Sequence, residues 1–254
     1  MSHTHAHAHS HTHSRADPHA QHAIPGHWRV LPSGVGNLRD VNQPTPRLLV
    51  MDVDSTLITA EVIELLAEHA GSRELVAEIT ERAMRGELDF AASLHERVAT
   101  LAGLPTSVLA DVLAEVELTP GARELVAEVQ SRGWSVGLVS GGFVEIVAPL
   151  AESLGITLVR ANRLEVADGR LTGRVTGAVI DRAAKAEALR EYAASVGAEL
   201  EDAVAIGDGA NDLDMLAAAG FGIAFNAKPL VAAQADAVVN DRLDAVLALE
   251  PFTR

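Results

Sequence analysis

The chain has 254 residues, with 20 lysines and arginines against 35 aspartates and glutamates, a formal net charge of −15, and it contains no cysteine. A surface this acidic repels nucleic-acid phosphates, and the missing thiols exclude disulfides, thiolate metal sites and any cysteine nucleophile. No apolar run approaches the roughly 20 residues of a membrane span, and the amino terminus lacks the apolar stretch of a secretory signal. We therefore expect a soluble, cytoplasmic protein that binds neither nucleic acid nor membranes.

The first 46 residues differ in composition from the rest of the chain. They contain nine of the 11 histidines, starting with an alternating run from His3 to His13, together with five prolines. Such a segment buries too little apolar surface to offset the entropy lost on ordering, so we predict that residues 1–46 are mostly disordered. Neutral imidazoles bind zinc, nickel and copper. The pattern is therefore compatible with a metal-binding tail, and also with a purification tag or a solvated tail.

After Arg47, short apolar runs alternate with helical patterns along the chain. Runs typical of buried strands occupy residues 48–51, 136–139, 156–159, 203–206, 221–225 and 237–239. Two further strand-like runs, at 163–166 and 171–175, flank Asp168-Gly169, a strong hairpin-turn dipeptide. Helical patterns occupy residues 62–71, 72–118, 119–133, 189–197 and 229–234. In the third of these, Thr119 is the predicted N-cap and Pro120 the predicted first helical residue.

Strands that alternate with helices predict a mainly parallel, doubly wound α/β sheet that is covered on both faces. In such sheets, ligands bind beyond the carboxyl ends of the strands. The polar residues that end three of these strands are therefore expected at one rim. They are Asp52 and Asp54, then Ser140 with Gly141 and Gly142, and finally Asp208 with Asp212.

Four carboxylates at one rim repel each other unless a cation joins them, and oxygen ligands of this kind suit Mg²⁺. Asp52 and Asp54 are two residues apart, so in extended geometry both lean to the same side, where one can attack while the other moves protons. The alternative interpretation is that an aspartate after a strand only caps a helix. A dinucleotide site is not predicted, because no Gly-x-Gly-x-x-Gly follows the first strand.

Four segments, in this order, resemble the motifs of the haloacid dehalogenase superfamily of phosphatases. They are Asp52-Val53-Asp54-Ser55-Thr56-Leu57, Ser140-Gly141-Gly142, Lys185, and Gly207-Asp208-Gly209-Ala210-Asn211-Asp212. The similarity covers residues 47 to about 245 and extends to the phosphoserine phosphatases within that superfamily. It implies a Rossmann-like catalytic core formed by residues 47–58 and 119–254, interrupted by a small helical cap at residues 59–118.

The resemblance implies Mg²⁺-dependent hydrolysis of O-phospho-L-serine to serine and phosphate, the last step of serine biosynthesis, through an aspartyl-phosphate. Asp52 would be the nucleophile, and Asp54 would be the general acid and base. Ser140 and Lys185 would neutralise charge on the phosphoryl group.

The resemblance also implies which residues bind the metal and the substrate. The implied metal ligands are Asp52, Asp54 and Asp208, with Asp212 in a supporting position. The implied substrate-binding residues are Glu61, Met84, Phe90, Arg97, Ser140, Gly141, Lys185 and Asn211. Arg97 would bind the substrate carboxylate and Glu61 its ammonium group, while Met84 and Phe90 would line an apolar wall. Taken alone, each of these residue types is more typical of an ordinary surface or core position.

Two other functions stay open at this point. A phosphatase or phosphotransferase of the same fold could act on another small phosphomonoester, such as phosphohomoserine, and the histidine-rich tail could bind or store metal. The first 46 residues are too few and too polar for the amino-acid-sensing domain that many members of the family carry, so we expect no feedback control through such a domain. Monomer and homodimer are both compatible with the sequence.

Overall fold

Residues 47–253 are described by the structure, a computed structural model, and the predictions made for the histidine-rich segment lie outside these residues. The strands in this part of the chain are β1 (Leu48–Met51), β2 (Ser135–Phe143), β3 (Leu158–Ala167), β4 (Arg170–Thr176), β5 (Ala203–Gly207), β6 (Phe221–Phe225) and β7 (Ala237–Val239). They form one sheet in the spatial order β4-β3-β2-β1-β5-β6-β7. All neighbouring pairs are parallel except β3 and β4, so the predicted α/β sheet is confirmed.

Ten α-helices accompany the sheet within residues 47–253. The first four lie between β1 and β2: α1 (Val62–His69), α2 (Arg73–Met84), α3 (Phe90–Ala99) and α4 (Val108–Glu115). The others are α5 (Ala122–Ser131), α6 (Val144–Ser153), α7 (Arg182–Val196), α8 (Leu213–Ala218), α9 (Pro229–Ala232) and α10 (Glu250–Thr253). The helical pattern at 72–118 is thus three separate helices. None of the helices in this part of the chain has the length and apolar character needed to cross a membrane.

Strand β1 lies in the middle of the sheet and is buried on both faces. Leu49 and Met51 belong to one core cluster, which includes residues of α5 and α6, whereas Leu48 and Val50 belong to a second cluster with residues of α7 and α8. Successive side chains of a strand point to opposite faces, and all four are 0% exposed. The uninterrupted apolar run of β1 follows from this double coverage, which also fixes the position of the next residue, Asp52.

Strand β3 is longer than predicted. Its first part pairs with β2 and its second part with β4, so residues 158–159 of the first predicted run and the whole run at 163–166 belong to one continuous strand, whereas residues 156–157 precede it. Polar residues between these two runs interrupt the apolar pattern and make the strand resemble two. The turn after it is confirmed, because Asp168 and Gly169 have φ angles of +50° and +70°, as a tight two-residue hairpin turn requires.

The outer edge of β4 is bonded to the connection between α3 and α4. Gly103 donates a backbone hydrogen bond to the Leu171 carbonyl over 2.8 Å, and Leu171 donates one to the Leu104 carbonyl over 2.9 Å. A third bond, 2.9 Å long, runs from the Thr106 N–H to the Gly169 carbonyl. These bonds tie the helical segment between β1 and β2 to the antiparallel end of the sheet.

The predicted start of α5 at Thr119 and Pro120 is wrong. The Thr119 N–H donates to the Leu57 carbonyl over 2.9 Å, so Thr119 belongs to the connection that returns from the helical segment. Helix α5 begins only after Gly121, whose φ is +84°. A Cβ on Gly121 would lie 2.7 Å from the backbone nitrogen of Asp244. The left-handed backbone and this close approach together require glycine.

Replacing Gly121 with alanine is expected to destabilise the fold more than the same replacement at Gly133, which has a φ of +80° but nothing within 4 Å of an added Cβ. The left-handed conformation alone costs alanine about 1–2 kcal/mol. Overlap with the Asp244 backbone raises the expected loss at Gly121 to about 3 kcal/mol or more. Urea unfolding of both variants measures the difference, and equal losses at the two positions would contradict the steric argument.

Candidate active site

The polar residues that end three strands lie at the carboxyl edge of the sheet. Asp52 follows β1, Ser140 lies near the end of β2, and Asp208 follows β5. The three strands are neighbours in the order β2-β1-β5, so their ends are adjacent. Lys185 reaches the same place from the first turn of α7.

Lys185 is buried between two carboxylates. Its Nζ donates to Oδ1 of Asp52 over 2.7 Å and to Oδ1 of Asp212 over 2.6 Å, and the side chain is 0% exposed. Burial by itself lowers the pKa of Lys185, but the charges and hydrogen bonds of Asp212 and Asp52 outweigh this effect and raise the pKa above its usual value. The ammonium group therefore stays charged, and Lys185 is not a solvated helix lysine.

Helix capping fixes the position from which Lys185 projects. The side chain of Asp181, the N-cap of α7, accepts a hydrogen bond from the Ala184 N–H over 2.9 Å, which satisfies one of the unpaired donors at the helix start. The Lys185 N–H donates to the Asp181 carbonyl over 3.0 Å. The lysine therefore lies one turn after the cap, directed at the end of β1.

Asp52, Asp208 and Asp212 form a cluster that suits a cation. One carboxylate oxygen of each residue lies within 4.8 Å of the others. Burial, and then the charge of Asp212, raises the pKa of Asp52 well above its usual value and the pKa of Asp208 to about 6. An all-oxygen set with excess negative charge fits a hard divalent cation such as Mg²⁺.

Asp212 differs from the other two carboxylates because both of its oxygens already accept hydrogen bonds. Oδ1 accepts from Lys185, and Oδ2 accepts from the Gly209 N–H over 3.0 Å. A Cβ on Gly207 would lie 2.5 Å from the carboxyl carbon of Asp212, so glycine at this position lets the carboxylate lie against the end of β5. This geometry fits a supporting position for Asp212 better than that of a metal ligand.

Asp54 lies in a tight turn at residues 53–57 and is held from two sides. Its Oδ1 accepts the N–H of Val62, the first residue of α1, over 2.8 Å, and its Oδ2 accepts the Ser140 hydroxyl over 3.0 Å. Burial, followed by the charge of Glu61, raises the pKa of Asp54 to about 6. A carboxyl group with such a pKa can both give and take a proton near neutral pH, as general acid–base catalysis requires.

Glu61 and Arg97 carry opposite charges beside this carboxylate. Glu61 precedes α1, its Oε1 accepts the Ser55 hydroxyl over 2.7 Å, and burial raises its pKa. Arg97, on α3, is half-buried and donates from Nε to the Ser93 carbonyl over 3.3 Å. Burial lowers the pKa of Arg97, against the attraction of Glu61 and Asp54. The structure thus brings a half-buried cation and a half-buried anion from two helical elements toward the same cluster.

The other predicted substrate contacts differ in how close they come to the cluster. A Cβ on Gly141 would lie 3.0 Å from the ring of Phe90, so this ring faces the loop at the end of β2. Asn211 is half-buried in the short turn before α8. Met84, in contrast, is 68% exposed at the end of α2, because that helix packs through residues of its earlier turns.

Ser55 and Thr56, the hydroxyl residues of the first motif, make contacts that were not predicted from the sequence. Ser55 has a φ of +56°, which is uncommon for a residue with a side chain, and its hydroxyl donates to Glu61. Thr56 is fully buried, and its Oγ1 lies 3.5 Å from Oδ1 of Asp208. The turn after β1 therefore places a hydroxyl group beside each of two further carboxylates, those of Glu61 and Asp208.

Sequence reasoning also missed Asn162, a buried residue in the middle of β3. Its side chain donates to the Gly141 carbonyl over 2.8 Å and accepts the Ile180 N–H over 2.9 Å. The available signal was an asparagine between two strand-like runs. The predicted strand ended at Val159, so the position was left outside any element.

Comparisons with known sequences agree with this geometry. A sequence model of the haloacid dehalogenase-like hydrolase family matches residues 49–217. Over 209 residues the chain is 60% identical to a phosphoserine phosphatase of Streptomyces coelicolor, an alignment that covers 82% of this chain and 51% of the relative. Over 188 residues it is 58% identical to a phosphoserine phosphatase of Streptococcus thermophilus, covering 74% of this chain and 87% of that relative. The chain thus spans about half the length of the first relative and most of the second.

Solved structures show the same arrangement of elements. A phospho-aspartyl intermediate analogue of phosphoserine phosphatase has a TM-score of 0.76 and 42% identity to this chain, covering 80% of this chain and 98% of that chain. A substrate-bound phosphoserine phosphatase complex has the same TM-score and identity, covering 81% and 98%. These matches confirm the resemblance expected from the four motifs.

Replacing Lys185 with methionine is expected to lower the unfolding free energy by about 3–5 kcal/mol at pH 7, because it leaves two buried carboxylates without their partner. The loss should shrink at pH 5, since protonation of Asp52 removes part of the uncompensated charge. Urea unfolding at both pH values measures the effect. Arg182→Met is the matched control, because the ion pair of Arg182 with Asp214 is exposed and contributes at most about 1 kcal/mol. A loss at Lys185 no larger than in this control would contradict the prediction.

Proposed function

The chain belongs to the haloacid dehalogenase-like hydrolase family, and from this premise we propose that it hydrolyses O-phospho-L-serine to serine and phosphate through an aspartyl-phosphate. The observation that carries the proposal is a pair of buried aspartates with different partners: Asp52 is bound to Lys185, and Asp54 is bound to Ser140. One carboxylate is thereby available for attack and the other for proton transfer. Relatives that are phosphoserine phosphatases, at 60% and 58% identity, support the choice of substrate.

In the proposed first step, a carboxylate oxygen of Asp52 attacks the phosphorus, and the bond between phosphorus and the seryl oxygen breaks. Protonated Asp54 gives its proton to the leaving oxygen, which yields serine and an aspartyl-phosphate. In the second step, Asp54 takes a proton from water while the water oxygen attacks the phosphorus. Phosphate leaves, and the Asp52 carboxylate is restored.

Phosphoryl transfer depends mainly on neutralising charge on the phosphoryl oxygens. Lys185 supplies a fixed positive charge that is already hydrogen-bonded to the proposed nucleophile, Asp52. The Ser140 hydroxyl, which donates to Asp54 in this structure, would turn to the phosphoryl group as a further donor, while the Gly142 N–H holds its oxygen. Because Lys185 is fully buried, solvent does little to screen its charge.

We propose Mg²⁺ as the resident cation, held by Asp52, Asp208 and the backbone carbonyl of Asp54, with Asp212 as a supporting residue. The oxygen-only cluster supports this assignment. Lys185 binds only Oδ1 of Asp52, so the second oxygen is available to another partner. When bound, the cation would neutralise charge that develops on the phosphoryl group.

We propose that residues 59–118 form a cap over a catalytic core of residues 47–58 and 119–254, and that the cap selects the amino-acid end of the substrate. Arg97 would bind the carboxylate and Glu61 the ammonium group, each an interaction between opposite charges in a partly dry site. Phe90 would close the apolar side, next to Gly141. The exposed position of Met84 offers no support for its expected contact, which stays a prediction.

The wider setting of the reaction stays a prediction as well. A place as the last step of serine biosynthesis and a cytoplasmic location follow from the resemblance to phosphoserine phosphatases. Monomer and homodimer remain compatible with the residues described.

Added Mg²⁺ is expected to raise the melting temperature by about 5 °C or more at pH 8 and by much less at pH 5, because protons compete for Asp208, whose pKa is raised to about 6. Without a cation, the folded state holds this proton more tightly than the unfolded chain. The unfolding free energy should therefore fall as pH rises from about 4 to about 6. Calorimetry with Mg²⁺ and with a chelator measures both effects, and Asp208→Asn is the control. An equal rise in this variant would rule out the proposed ligand set.

The substrate assignment is tested with phosphoserine, phosphothreonine, phosphohomoserine and phosphocholine as alternative substrates. We expect the highest kcat/KM for phosphoserine and no turnover by Asp52→Asn, which removes the nucleophile. Arg97→Ala should lower kcat/KM for phosphoserine by about 100-fold, the loss of a charged hydrogen-bonded contact, with little effect on phosphocholine. Arg85→Ala is the control, because Arg85 is an exposed arginine of the same helical segment. Unchanged selectivity in Arg97→Ala would remove Arg97 from the site, and faster turnover of phosphohomoserine would favour the alternative substrate.

A further inference from the structure

Asn162 lies opposite an irregularity in the strand that carries Ser140. Ser140 pairs with Ala161, but the next pair along the two strands joins Phe143 to Asn162, so the register skips the two glycines at 141 and 142. A skipped pair leaves backbone groups without their usual ladder partners, and these groups must find other partners if they are buried. Asn162 is 2% exposed and supplies one.

The Asn162 amide forms one bond to each of two separate segments. Nδ2 donates to the Gly141 carbonyl over 2.8 Å, and Oδ1 accepts the Ile180 N–H over 2.9 Å. The orientation of the amide follows from the partners, because a carbonyl only accepts and a backbone N–H only donates. Aspartate, serine or alanine at this position would lose at least one of the two bonds.

The first bond holds the irregular end of β2, residues 140–142, which we call the Ser140 loop. Immediately before Gly141, the Ser140 hydroxyl donates to Asp54 over 3.0 Å and accepts the Gly142 N–H over 2.7 Å. On its other side, Gly141 lies against the Phe90 ring, which a Cβ at this position would approach to 3.0 Å. A shift of the Gly141 carbonyl would therefore move the Ser140 hydroxyl relative to Asp54.

The second bond holds the start of α7. Ile180 directly precedes Asp181, the N-cap of this helix, and Lys185 donates its N–H to the Asp181 carbonyl over 3.0 Å. The segment between β4 and α7 has no regular secondary structure. The bond from Ile180 to Asn162 thus fixes the chain just before the turn from which Lys185 projects.

We infer that Asn162 is a positioning residue, which sets the distance between the Ser140 loop and the Lys185 helix so that both groups meet the same phosphoryl group. The inference rests on the proposed function for the identity of the substrate, but the binding of phosphate by these groups can be measured independently. Asn162 acts through Gly141 and Ile180 and does not itself contact the reacting atoms.

The test compares three variants. Asn162→Ala removes both bonds, whereas Asn162→Asp keeps an acceptor for Ile180 and removes the donor for Gly141. Tyr192→Phe is the matched control: the Tyr192 hydroxyl donates to the Leu138 carbonyl of β2 over 3.1 Å, so the variant loses a buried bond to the same strand away from the site. For each variant we would measure kcat and KM for phosphoserine, the binding of inorganic phosphate by calorimetry, and the melting temperature, with all assays well below that temperature.

Both Asn162 variants are expected to lose about tenfold or more in kcat and to bind inorganic phosphate several-fold more weakly, since small displacements of positioned groups have effects of this size. Tyr192→Phe should leave both quantities within about twofold of the unaltered protein. If both Asn162 variants lower only the melting temperature, the residue is structural and the inference is wrong. Impairment of Asn162→Asp alone would also overturn it, because the added charge would then be the cause.

Two further outcomes keep this inference separate from the proposed function. If Asn162→Ala does not fold, Asn162→Ser takes its place, because a single hydroxyl also loses at least one of the two bonds and adds no charge. If the unaltered protein does not hydrolyse phosphoserine, the proposed function fails. The calorimetric comparison of phosphate binding still decides the role of Asn162, and unchanged binding in its variants would overturn the inference.

Discussion

A single buried ammonium group joins the parts of the candidate site. Lys185 comes from α7, Asp52 from the end of β1 and Asp212 from the turn after β5, so three elements of the core meet at one charge. Breaking such a pair leaves an uncompensated buried charge, which costs several kcal/mol. The carboxylates are tolerated in this position because the ammonium is buried with them. The interaction that makes the burial of Asp52 possible therefore also determines where the proposed nucleophile lies.

The same constraint explains how two aspartates only two residues apart can have different roles. Asp52 has a cation as its partner, whereas the partners of Asp54 are a backbone N–H and a hydroxyl, which are neutral donors. The charge of Lys185 favours the anionic form of the first carboxylate, against the effects of burial and Asp212, and burial beside Glu61 allows the second to bind a proton near neutral pH. Different neighbours, supplied by α7 and by the end of β2, thus give two chemically identical side chains different roles.

The features that could be predicted from the sequence depend on consecutive residues or on regular spacing of apolar residues. The apolar run of β1 and the aspartate after it are consecutive, so buried-strand periodicity and the strand-end rule were sufficient to place Asp52. The errors concern contacts between segments far apart in the chain. The start of α5 is set by Asp244 packing against Gly121, and the length of β3 is set by two different partner strands. Asn162 was missed for the same reason, because its partners lie 21 and 18 residues away.

The backbone bonds at the outer edge of β4 also bear on how readily another chain could add a strand to the sheet. An unpaired strand edge is a template on which another chain can add a strand. At one end of the sheet, the segment from Gly103 to Thr106 already occupies the backbone groups of Gly169 and Leu171. At the other end, β7 has no strand beyond it in residues 47–253, but it is only three residues long. Edge-to-edge pairing with another chain is therefore hindered by coverage at the start of β4 and by the shortness of β7.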